Sequence, residues 1–128
     1  MKRNNPAAIA APAGAYSHTI EMPADARWLH IAGQVGIAPD GSVPDSVAAQ
    51  SEVVFDNLAA CLADAGMGFD DVVKITSFLL DPADMAAFAE VRSARMGSSR
   101  PASTLVFVAA LVRSEWKIEV EMVAARAD

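Results

Sequence analysis

The amino-acid sequence predicts an α+β domain, a single sheet with two helices packed on one face. Three observations lead there. Two C-terminal runs, 100–108 and 116–123, alternate with period two and are rich in β-branched residues, so both read as strands. Apolar residues recur at helical spacing over 45–65 and again over 85–96. Between those helices, 72–80 is apolar on both faces and reads as a central strand. The expected order is ββαβαββ: one sheet layer, one helix layer, and a second sheet face left free.

Each element has a local reason. Residues 1–13 read as an extended or irregular arm, and 16–21 as a short strand. Pro23-Ala24-Asp25 turns the chain into a second strand, 28–32, after which Gly33-Gln34-Val35-Gly36 breaks regularity and Pro39-Asp40-Gly41 forms a turn. Val47, Val54, Leu58, Cys61, Leu62 and Ala65 share one stripe of the first helix. Asp45 or Ser46 can cap its start and Gly66 suits its end. Asp81-Pro82-Ala83-Asp84 opens the second helix, whose inner face is Met85, Phe88 and Val91, and Gly97-Ser98-Ser99 stops it. The last strand sets Trp116, Ile118, Val120 and Met122 on one face and Lys117, Glu119 and Glu121 on the other.

Composition bounds the function. At 128 residues the chain fits one domain, yet 53% of it is hydrophobic and the mean hydropathy is +0.27. A domain of this size cannot bury so much apolar side chain alone, so a homo-oligomer with a substantial interface is expected. No apolar run approaches the ~18 residues of a membrane span, so no membrane partner is expected. Ten basic against 16 acidic groups leave a net charge of −6, which opposes a nucleic-acid partner. The start, Met1-Lys2-Arg3 and then alanine-rich sequence, has a faint likeness to a secretory signal. Pro6 and Pro12 interrupt it, and the expected location is cytoplasmic.

Few residues carry chemistry. His18 and His30 are the only histidines and Cys61 the only cysteine, so no metal site is expected. Cys61 falls on an apolar helical stripe and reads as a structural thiol. Glu119 and Glu121 project to the same side of one strand, roughly 6.5–7 Å apart. In a semi-apolar cleft such a carboxylate can move protons or orient water. Spacing alone favours the plainer reading, a pair of exposed carboxylates or carboxylates neutralised by Lys117 and nearby arginines.

An ordered set of segments narrows this. Residues 11–18 (APAGAYSH), 31–36 (IAGQVG), 73–79 (VKITSFL), 100–103 (RPAS) and 117–121 (KIEVE) together resemble the RidA (YjgF/YER057c) family, from about residue 7 to 125. The resemblance implies a chorismate-mutase-like α+β fold and a homotrimer with clefts between subunits. It also implies cofactor-free hydrolysis of a small-molecule enamine or imine such as 2-aminoacrylate or 2-iminobutanoate. Residue by residue, it implies that Glu119 is the catalytic group handling the attacking water, that Tyr16 lines the cleft, and that Gly33 lets backbone approach the ligand. It also shows departures. The family's arginine, which grips the substrate carboxylate with a two-pronged hydrogen bond, falls on Ser103; its site serine is Ala32, a frequent cysteine is Leu105, and the proline before the tyrosine is Ala15.

A hydroxyl cannot replace a guanidinium fork in charge or orientation. The expectation is therefore an arginine-lacking branch of the family with a shifted substrate, Ser103 setting specificity. A non-catalytic metabolite-binding or chaperone-like trimer is the alternative. An asparagine often found on the family's second helix matches Arg92. Arg92 then has two readings, a solvated helix residue near Glu90 and Arg95, or a cation reaching into the cleft to bind an acidic group. Its position on the helix favours the solvated one.

Overall fold

The computed structural model describes all residues, 1–128. Strands β1 (Lys2–Asn4), β2 (Thr19–Glu21) and β3 (Arg27–Gln34) precede helix α1 (Val47–Asp64), strand β4 (Val72–Leu79), helix α2 (Met85–Met96) and strands β5 (Ala102–Phe107) and β6 (Ile118–Arg126). The main sheet has four strands in the order β3-β6-β4-β5. β6 lies antiparallel to both neighbours, whereas β4 and β5 are parallel and joined by the α2 crossover. That connection needs a helix because parallel strands cannot be joined by a tight turn.

Helix α1 forms where the apolar stripe predicts it, with sharp ends. Ser46 is the N-cap, its hydroxyl accepting from the Ala49 amide at 3.1 Å. At the other end Gly66 adopts φ 67°, while Met67 N–H donates to Leu62 O and Gly66 N–H to Ala63 O, a Schellman closure that satisfies the last carbonyls. Both helices cover the same sheet face. Phe55, Leu58 and Leu62 of α1 and Phe88 of α2 pack on Ile75, Leu79, Ile118, Val120 and Met122, all at most 1% exposed. The alternation read in the last strand is thus the boundary between core and open face.

The N-terminal region differs from expectation in one respect. The strand expected over 16–21 contracts to Thr19–Glu21 and stays out of the main sheet. It pairs instead with Lys2–Asn4 in a separate antiparallel ribbon, so the expected arm contains a strand. Lys-Arg-Asn carries little β propensity, and its partner is distant in sequence, so no local pattern announces the pairing.

The outer face of the main sheet is open. It presents His30 and Ala32 from β3, Glu119, Glu121 and Val123 from β6, Lys74, Thr76 and Phe78 from β4, and Thr104 and Val106 from β5. Trp28 and Val106 are 51% and 40% exposed on this side. No helix in the structure is long and apolar enough to cross a membrane.

Candidate functional site

A cavity of about 410 Å³ opens between the 13–16 loop, the start of β5 and one stripe of α2. Three contacts build it. Ser17, only 3% exposed, donates its hydroxyl to Arg100 O at 2.6 Å, and its amide to Pro101 O at 3.1 Å. This double tie docks the N-terminal loop onto the strand and brings Tyr16 near Ser103. The register of β5 pairs Ser103 with buried Ile75, so the Ser103 side chain faces the helix layer. Met85, Phe88, Ala89, Arg92 and Ser93 of α2, spaced three and four apart, close the opposite wall. Apolar walls with a few convergent polar groups are what a small-molecule site requires.

Within the loop, Tyr16 is held by its backbone amide to Gly14 O at 3.0 Å, and its hydroxyl accepts from the Ala13 amide at 3.2 Å. The phenol's own hydrogen remains to donate. The Tyr16 ring meets the His18 ring edge-on at 5.7 Å, and His18 Nε2 lies 2.7 Å from Ala10 O.

Arg92 lines this cavity and is half-buried; the solvated reading favoured by its helical position does not describe its surroundings. It forms no ion pair in the chain, whereas Arg95, one turn on, holds both Glu52 at 2.9 Å and Asp56 at 2.8 Å. Burial, and then the charge of Arg100, push the Arg92 guanidinium below its ordinary value.

Glu119 and Gly33 are elsewhere. Glu119 projects from the outer face opposite Phe78, across the sheet from the cavity, and is half-buried. Its carboxylate lies against Gly33: a Cβ built there would overlap the carboxylate and stand 2.8 Å from the carboxyl carbon. The close approach comes from a bulge, because β3 spends an extra residue between Ile31 and Gln34 against β6. Glu121 is exposed opposite Thr76, in a shallow groove with His30 and Lys74. Neither carboxylate forms an ion pair within the chain. The structure therefore brings Tyr16, Ser103 and Arg92 together, and sets Gly33 and Glu119 together on the opposite face. No group of three or more His, Cys, Asp or Glu side chains converges to hold a metal ion.

Two supporting residues are not among the expected site residues, although the first falls within the 11–18 segment. One is Ser17. The other is Gln50, fully buried on α1, whose side-chain amide donates to Pro44 O and Glu115 O and accepts from Lys117 N–H, each at 2.9 Å. It holds the loop that leads into β6 and so sets where Glu119 begins. A polar residue on the apolar stripe of a helix is the signal that points to Gln50.

The fold and cavity define a small α+β protein with a half-polar cavity at the edge of its sheet. The family model described as Endoribonuclease L-PSP matches residues 6–126. A RutC family protein of Pyrococcus abyssi is 36% identical over 88% of this chain and 87% of its own length. The 2-iminobutanoate/2-iminopropanoate deaminase of Mus musculus is 35% identical over 93% and 84%. Among solved structures, a protein of unknown function of the conserved Rid family, YyfB of Yersinia pestis, superposes with a TM-score of 0.83 at 30% identity, covering 98% of both chains. RidA from an Antarctic Psychrobacter gives 0.72 at 33%, covering 89% of this chain and 90% of its own. The chain belongs to the RidA/YjgF family.

Proposed function

We propose that this protein hydrolyses a small imine or enamine, without cofactor, in a cleft shared between subunits of a cytoplasmic homotrimer. The observation that carries the reading is the Glu119 carboxylate, half-buried, unpaired and seated over Gly33. A base of this kind can take a proton from water and return it to a leaving nitrogen. The mouse relative, named for imine deamination, supports the same chemistry. The division of the site supports the shared cleft. Tyr16 and Ser103 lie on one side of the sheet and Glu119 on the other, so one complete site takes Glu119 from a second copy. The exposed Trp28 and Val106 on the outer face suit that packing.

The reaction balances simply. Glu119 accepts a proton as water oxygen bonds to the imine carbon, and the C=N π pair moves onto nitrogen, which gains a proton. The resulting carbinolamine passes its hydroxyl proton through Glu119 to nitrogen as the C–N bond breaks, so that ammonia leaves and a carbonyl remains. An enamine first takes a proton on carbon to reach the imine. Tyr16 donates its phenolic hydrogen to the ligand, while Ser103 offers a hydroxyl where relatives place a cation, shifting the preferred substrate. The word endoribonuclease in the family description carries no weight here, since a chain of net charge −6 repels a phosphate backbone.

The test is ammonia release from imines generated in situ, acidic and neutral, by wild type and Glu119→Gln. A loss of roughly 10²-fold or more in the variant is expected for a missing general base. Equal turnover by both proteins overturns the mechanism, and ligand binding without turnover by wild type points to the non-catalytic trimer.

A further inference from the structure

Arg92 is the only charged residue lining the cavity that holds Tyr16 and Ser103, and no carboxylate of the chain neutralises it. In a chain with 16 acidic groups against ten basic ones, a half-buried cation without a partner stands out. Arg95 on the same helix shows the ordinary solution, a guanidinium satisfied by two carboxylates. Desolvation makes the Arg92 charge costly as it stands, and an incoming anion offsets that cost. Around it the polar groups are hydroxyls, and Met85, Phe88 and Leu105 supply apolar wall.

We propose that Arg92 anchors an acidic group of the ligand, so that the ligand is a small organic anion with a short apolar remainder, held from α2 rather than from β5. The tyrosine and serine hydroxyls complete the polar end, and the apolar remainder lies on Phe88 and Leu105. The role as a substrate anchor rests on the deaminase reading above; binding of an acid does not.

The experiment is calorimetric titration of the intact oligomer with 2-oxobutanoate, the stable product of such a hydrolysis, and with its neutral amide. Wild type binds the acid in preference to the amide, and Arg92→Gln weakens acid binding roughly 10–100-fold, the range of one charge-assisted contact, with little change for the amide. Arg92→Lys retains part of the affinity. Ser103→Arg in the Arg92→Gln background restores acid binding by returning a guanidinium to β5, which a merely structural defect would not allow. Equal acid affinity in wild type and Arg92→Gln overturns the proposal, as does preference for the amide or no acid binding by wild type. Arginine-dependent acid binding without ammonia release defeats the deaminase reading and leaves the anchor standing. Ammonia release with an unchanged KM in Arg92→Gln does the reverse.

Discussion

The carboxylate of Glu119 fills the space in which a side chain at Gly33 would stand. Gly33 is not in the left-handed region, so an added methyl meets no backbone strain there. It meets only the flexible end of a glutamate. Gly33→Ala is therefore expected to leave stability within about 1 kcal/mol of wild type while turning the carboxylate away and reducing turnover roughly 10²-fold. Gly36, three residues on, has the opposite character. A Cβ there would lie 2.8 Å from Gln50 Cβ and 3.0 Å from its Cα, so α1 itself must shift, and Gly36→Ala is expected to cost about 1–3 kcal/mol. Chemical denaturation alongside ammonia release separates the two, and an unstable Gly33→Ala with normal specific activity would contradict the assignment.

The division of site residues between two faces makes a prediction about mixed oligomers. Ser103→Trp fills the cavity side and Glu119→Gln disables the other, so each variant alone is expected to be inactive. Co-expressed in equal amounts, they form some interfaces with both halves intact, about a quarter if assembly is random. Recovery of activity in the mixture is the expected result. Its absence, with mixed assembly confirmed by mass spectrometry, would place both halves in one chain.

Ser17 links the Tyr16 loop to β5 through a buried hydroxyl. Ser17→Ala leaves Arg100 O with a lost donor and is expected to cost about 1–2 kcal/mol. Because the loop also positions Tyr16, KM for the imine should rise in the same variant. A stability loss with unchanged KM would confine Ser17 to the fold.

Gln50→Leu keeps the volume but leaves two carbonyls and the Lys117 amide without their partner. A loss of at least about 2 kcal/mol is expected. Amide exchange at Lys117 is the sharper measurement, since it should accelerate well beyond that of the β4 core.

Arg95 gives a salt-dependent prediction. Burial pushes its guanidinium down, but hydrogen bonds to Asp56 and Glu52 outweigh that and hold it above its ordinary value. A cation raised in the folded state stabilises below that value and ceases to do so only as pH climbs through it, so alkaline buffer leaves the contribution intact. Arg95→Met is expected to lose about 0.5–1 kcal/mol at low salt. That difference should shrink in molar salt.

Much of the architecture was legible because it rests on local periodicity. The α1 stripe, its Ser46 and Gly66 ends and the alternation through Ile118, Val120 and Met122 all report burial residue by residue. The β1–β2 ribbon was not legible, because Lys2–Asn4 shows no alternation and depends on a distant partner. Tyr16, Gly33, Ser103 and Glu119 could be singled out by resemblance, but not sorted. Ser17 and Gln50 escaped notice because a small or amide side chain acquires its role only when a backbone carbonyl from another segment arrives beside it.

By itself the sequence determined the class of fold, the family and the carboxylate strand, since period-two and helical patterns and an ordered set of short motifs are properties of one chain read in order. It also placed Ser103 on β5 at the position where the resemblance to the family implies an arginine. Only the tertiary structure decided that Arg92 shares the Ser103 cavity while Glu119 lies across the sheet. Which face a strand residue takes depends on register, and which residues share a cavity depends on how α2 packs on β5; both are set by pairing between distant segments.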